Sequence, residues 1–98
     1  MYRSVILPLA KQDIQCAAQW YNSKKKGLGR QFTSEVRRKI HFIQQNPKAI
    51  SIRYNKVRVL ALDVFPYLIH YTIDESTQTI PIIAILHTSR NPKLWKNR

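Results

Sequence analysis

The spacing of apolar and polar positions changes several times along the chain, and each change marks an element. Tyr2 to Leu7, with β-branched Val5 and Ile6, predicts a strand that Pro8 ends, because proline has no N–H to give to a ladder. From Leu9 the period lengthens: Ile14, Ala17, Ala18 and Tyr21 lie at i, i+3, i+4 and i+7, one face of a helix. Asp13 is expected near the positive end of that helix, with Cys16 and Trp20 beside the apolar face. Lys24-Lys25-Lys26-Gly27-Leu28-Gly29 interrupts the pattern, since glycine supplies the backbone freedom that a tight turn between helices needs. A second, longer helix follows from about Arg30 to Gln45, with Phe32, Val36, Ile40 and Ile43 on one stripe and Phe42 flanking it. Lys39 falls inside that arc and is expected to snorkel or to pair with Glu35, and Asn46-Pro47 ends the helix.

The remainder reads as strands. Ile50 to Tyr54 and Val57 to Leu62 are extended and separated by Asn55-Lys56. Neither face of the second run is cleanly polar, and Arg58 is expected on the exposed face of the sheet. Phe65 to Ile73 and Ile80 to His87 flank the polar turn Asp74-Glu75-Ser76-Thr77-Gln78 and form a hairpin signal. Tyr67, Ile69, Tyr71 and Ile73 share one face and are assigned to the core, leaving Leu68, His70 and Thr72 on the other. Pro81 implies a bulge or a strand start. A helical hairpin inserted after the first strand must bury both apolar stripes on one face of the sheet. The expectation is therefore one α+β domain over the whole chain, a two-layer β-α-α-β-β-β(-β) sandwich with a mostly antiparallel sheet. The opposite sheet face is expected to stay open and to collect basic and aromatic residues, with the closing hairpin at the sheet's centre.

Length and composition agree with a single modest core: 98 residues, 44% hydrophobic, with only two glycines. One cysteine excludes an internal disulfide and fits a reducing cytoplasm. No cation adjoins Cys16 on its helix to activate the thiol, so it is expected to be a small buried hydrophobe. The only apolar run near the N-terminus, Val5 to Leu7 before Pro8, is too short for an export or membrane segment. Charge is the strongest bulk signal. Seventeen Lys and Arg against five acids give +12, an excess that favours a polyanion, whether nucleic acid, ribosome, anionic membrane or an acidic protein.

Candidate chemistry gathers at the end of the last strand. His87 could serve as a general acid or base, with Arg58, Arg90 or Lys56 stabilising charge on a phosphate, a set that requires no metal or cofactor. His87 followed by Thr88 and Ser89 also fits a hydrogen-bonded structural histidine, which is the preferred reading because no catalytic partner is assigned to it. Trp95 is expected to anchor the C-terminal segment on the sheet edge, since one tryptophan is too few for a base-stacking platform. Arg53, Lys56, Arg58, His87, Arg90, Lys93 and Trp95 are the candidate surface for a target or partner, and the tail adds Lys96 and Arg98. No helix-turn-helix, zinc-finger or RNP motif is present, and no glycine-rich phosphate loop or carboxylate pair.

The stretches DIQCAAQWY, GLGRQF, IQQNP, VRVLALDVFPYLIHYTID and ILHTSRNPKLWKNR, in this order, resemble the RelE/ParE superfamily of toxins from toxin–antitoxin pairs. The combination of FPY…Y with H-x-x-R-x-P-x-x-W is similar to the ParE-like branch. The resemblance implies a helical hairpin on a small sheet and neutralisation by an acidic or mixed-charge antitoxin. It implies one of two activities: inhibition of DNA gyrase by binding, as in ParE-like toxins, or cleavage of messenger RNA on the ribosome, as in RelE-like toxins. Where nuclease members carry an arginine, this chain has Tyr67-Leu68-Ile69, and no acid lies near Arg53 to Arg58 to act as a base. The gyrase reading is therefore preferred. The alternatives are a metal-independent nuclease using His87, Arg58 and Arg90, and a basic binding module without toxin activity.

Overall fold

The computed structural model describes residues 2–97. Its elements are β1 (Arg3–Ile6), α1 (Pro8–Lys24), α2 (Leu28–Gln45), β2 (Ile52–Tyr54), β3 (Val57–Ala61), β4 (Tyr67–Tyr71) and β5 (Thr79–His87), closed by a 3-10 segment, Pro92–Asn97. Pro8 starts α1 directly after β1, at a position where the absent N–H costs nothing. Gly27 adopts a left-handed φ of 88° and caps α2. Gly29 allows the two helices to approach so closely that a Cβ there would strike the Ala18 carbonyl and the Asn22 side chain.

The sheet runs β1-β5-β4-β3-β2, parallel between β1 and β5 and antiparallel elsewhere. The helical hairpin carries the chain from β1 at one edge to β2 at the other, and the meander then returns to place β5 beside β1. The helices cover one face, as expected. Ala17 and Tyr21 of α1 and Phe32, Val36, Ile40 and Ile43 of α2 pack on Ile69, Tyr71, Ile80, Ile82 and Ile85. Each fully buried Val, Ile or Phe among them contributes roughly 1.5–3 kcal/mol.

A bulge explains the unbroken apolar run of β5. His70 pairs with Ala84 but Tyr71 pairs with Ile82, so Ile83 is the extra residue. The slip lets Ile80 and Ile82 face the helices before the bulge and Ile85 face them after it. Pro81 sits opposite Val5 in the parallel pair, and its carbonyl accepts the Thr72 N–H.

Several expectations are corrected. The second sheet face is not open: Trp95, 5% exposed, folds back over the face, not the edge, and builds a smaller cluster with Ala84 and Leu86. Arg58 lies on the helix side, opposite Tyr71, and donates to the Ile50 carbonyl at 2.6 Å. Cys16 is exposed, because it falls outside the line of α1 that meets the sheet. Asp13 lies beyond the first turn of α1, and its carboxylate accepts the Ile85 N–H at 3.0 Å. Lys39 pairs with Asp63 at 2.9 Å, since Glu35 is buried and committed to the backbone of Asp63, Val64 and Phe65.

Candidate functional site

The difference in length between β1 and β5 creates the first candidate site. Pairing of β1 with β5 stops at Ile82, and the rest of β5 runs on past the edge beside α1. Asp13 closes part of that gap by taking the Ile85 N–H. What remains is a groove of about 520 Å³ between α1 and the end of β5, lined by Trp20, Tyr21, Tyr67, Pro66, His87 and Arg90 among others. Burial raises the phenol of Tyr67 above its ordinary range, helped by the Asp13 charge, and burial raises Tyr21 with Tyr67 as the second cause.

His87 is held in this groove by its own loop. Its Nδ1 accepts the Ser89 N–H at 3.0 Å and lies 2.8 Å from Ser89 Oγ. A nitrogen that accepts a backbone N–H carries no proton, so neutral His87 holds its proton on Nε2 and presents a donor there. The Tyr67 ring packs against it edge-on, with centroids 5.2 Å apart. Chemically this is a hydrogen-bond donor at the end of an aromatic groove, with the exposed Arg90 guanidinium beside it.

The second site lies on the opposite sheet face. The Arg53 guanidinium stands 5.3 Å from the Trp95 ring centroid, and these residues, with Tyr54, Pro92 and Lys93, surround a depression of about 370 Å³. Beneath it the Tyr54 hydroxyl lies 3.0 Å from His70 Nδ1, and the His70 ring meets Trp95 edge-on at 4.7 Å. Trp95 Nε1 is buried and has no hydrogen-bond acceptor among the described residues.

The structure thus brings His87 together with Arg90, and Arg53 together with Lys93 and Trp95. It does not bring Arg58 to His87. Arg58 is opposite Tyr71 and His87 opposite Tyr67, four residues apart along β4, roughly 13 Å at the rise of a strand. Lys56 sits exposed at the tip of the β2–β3 hairpin, where both Asn55 and Lys56 have positive φ, 42° and 66°. Arg98 and the Lys96 side chain lie outside the described residues. Sequence reasoning missed the α1 wall of the groove. Its signal was Trp20, a large aromatic one step off the buried stripe. Among the described residues no group of three or more His, Cys, Asp or Glu could hold a metal ion, and no helix is long and apolar enough to cross a membrane.

Comparison with known proteins places this architecture. Solved structures share it: the chromosomal ParDE toxin–antitoxin system from P. aeruginosa matches with a TM-score of 0.79 at 16% identity, covering 91% of this chain and 98% of that one. The intact E. coli RelBE toxin–antitoxin complex matches with a TM-score of 0.70 at 14% identity, over 92% and 100% of the two chains. The isolated E. coli RelE toxin gives 0.69 at 13% identity, over 99% and 95%. At such identities the likeness is one of fold. No curated protein matches the chain. The family model described as the ParE toxin of the type II toxin–antitoxin system parDE matches residues 5–92. The chain therefore belongs to the ParE toxin family of type II toxin–antitoxin systems.

Proposed function

We propose that this ParE-family toxin works by binding and not by cutting, that its target is DNA gyrase in the cytoplasm, and that an acidic or mixed-charge antitoxin neutralises it. The observation that carries this reading is the dispersal of the nuclease candidates. Metal-free cleavage of RNA needs a base, an acid and a cation around one phosphate. Here Arg58 is on the helix side of the sheet with its guanidinium bonded to the Ile50 carbonyl, away from His87 and Arg90. His87 Nδ1 is already occupied by Ser89, which leaves its other nitrogen as a donor. A groove walled by Trp20, Tyr21, Tyr67 and Arg90 offers the residue types that anchor protein interfaces. The +12 charge adds long-range attraction for acidic surfaces.

The test uses relaxed DNA, purified gyrase, ATP and the folded protein. Supercoiling is expected to fall as the protein is added in excess. Unchanged supercoiling, together with cleavage of messenger RNA on programmed ribosomes, would replace this reading with the nuclease one.

A further inference from the structure

The depression on the second sheet face is positive and has no acid of its own. Arg53 and Lys93 are exposed along it, and Tyr54, Pro92 and Trp95 complete its lining. The five acidic side chains of the sequence are all engaged elsewhere. Asp13 takes the Ile85 N–H, and Glu35 takes the amides of the β3–β4 loop. Asp63 pairs with Lys39, Asp74 holds Ser76 and Thr77 of its own turn, and Glu75 meets Tyr2 and Lys48. Among the described residues, therefore, no carboxylate neutralises Arg53 or Lys93. Two cations, one from β2 and one from the closing 3-10 segment, face a single hollow whose potential favours an anion.

Both cations are positioned before anything binds. The Arg53 guanidinium lies over the Trp95 ring, 5.3 Å from its centroid, which restrains an otherwise flexible side chain. Asn91 fixes the backbone at Lys93: its side-chain oxygen accepts the Lys93 N–H at 3.0 Å and its carbonyl accepts the Leu94 N–H at 2.9 Å. Trp95 adds a donor and no acceptor, since its buried Nε1–H has no partner among the described residues. A planar guanidinium fork matches two oxygens of one oxyanion, and an ammonium adds a compact point charge. Two positive charges on one group suit a phosphate monoester, close to doubly charged at neutral pH, better than a carboxylate. Size narrows the choice further. A hollow of about 370 Å³ is that of a small-molecule site, and one Arg with one Lys is not the row of cations that tracks a polymer backbone.

We infer that this depression binds the phosphate group of a small ligand, with Arg53 and Lys93 as its charged contacts. Arg53 belongs to β2, whereas Lys93 and Trp95 belong to Pro92–Asn97, so a bound phosphate ties the closing segment to the sheet. The inference goes beyond the gyrase reading and does not depend on it.

The test uses Trp20→Phe protein, in which Trp95 is the remaining tryptophan and its fluorescence reports on the depression. Inorganic phosphate and adenosine monophosphate are titrated at fixed ionic strength, with sodium chloride, sodium acetate and a single-stranded oligonucleotide lacking terminal phosphates as controls. Both phosphates are expected to give saturable curves and to raise the melting temperature, because a ligand that binds only the folded state stabilises it. Arg53→Ala and Lys93→Ala should each weaken phosphate about tenfold or more, Arg53→Lys should fall between, and Lys56→Ala, at the hairpin tip, should change nothing. Equal affinity for the two phosphates assigns the site to the phosphate alone, and tighter binding of the monophosphate assigns it to a nucleotide. The inference is overturned if chloride or acetate gives the same response, if Arg53→Ala leaves the affinity unchanged, or if the oligonucleotide binds more tightly than either phosphate. Since gyrase takes no part, failure here leaves the supercoiling test untouched.

Discussion

Glu35 of α2 accepts the backbone N–H of Asp63 at 2.7 Å, and the same carboxylate reaches the N–H groups of Val64 and Phe65. One side chain, 2% exposed, therefore satisfies three successive donors of the β3–β4 loop and fixes that loop to the helix layer. Glu35→Ala would strand those donors and is expected to cost about 3 kcal/mol, read as a lower urea midpoint. Glu35→Gln keeps one accepting oxygen and should fall between the two.

The two glycines of the helical turn serve different ends, and substitution should separate them. Alanine at Gly29 would press on the Ala18 carbonyl and Asn22, and is expected to cost about 2 kcal/mol by forcing the helices apart. At Gly27 nothing lies within 4 Å of an added Cβ, so Gly27→Ala should cost only the left-handed backbone penalty, about 1 kcal/mol. Thermal melts of the pair check the order.

Trp95 is the keystone of the smaller cluster, packed on Ala84, Leu86 and the His70 ring. Trp95→Ala is expected to lower stability by about 3–5 kcal/mol. It should also release the Pro92–Asn97 segment, seen as faster amide hydrogen exchange there than in α2. Equal exchange in both variants would show that the segment is held by other contacts.

Alkali should destabilise the protein through its buried phenols. Burial raises the phenols of Tyr21, Tyr67 and Tyr71 above 10.0, and in Tyr71 the nearby Arg58 opposes the shift. A raised folded value means the stabilising contribution is whole below pH 10, where both states keep their protons. It is lost progressively as pH rises through the folded value. Denaturation against pH should therefore show stability falling from about pH 10 upward, with a shallower fall in Tyr71→Phe.

How far the sequence could be read depended on whether the deciding interaction was local. The α2 stripe from Phe32 to Ile43, the stop at Asn46-Pro47 and the turn at Asp74 follow from spacing and turn chemistry alone, and they stand as expected. Arg58 did not follow, because a single strand does not state which face its partner presents. The Tyr71 opposite it decides the matter. Cys16 and Trp20 were placed beside the apolar face correctly, but whether that flank is covered depends on where β1 stops along β5, a tertiary fact. Glu35 is expected from the sequence as a partner for Lys39, because its actual partners, three backbone amides, leave no mark in composition. The same reason hid Asp13, whose partner is the Ile85 N–H. The α+β class was legible throughout, since strand, helix pair and strand run have few packings open to them.

The pairing of β1 with β5 has a kinetic meaning as well as a structural one. Arg3 lies opposite Thr79, so one of the earliest strands to be synthesised finds its neighbour only in the last strand of the sheet. Such distant pairing makes folding slow relative to helix formation, because a long loop must close before the contact rewards it. During translation the helical hairpin can form early, yet the groove between α1 and β5 has no second wall until Ile85 to His87 have been made. The groove proposed to hold a protein partner therefore comes into existence only as the sheet is completed.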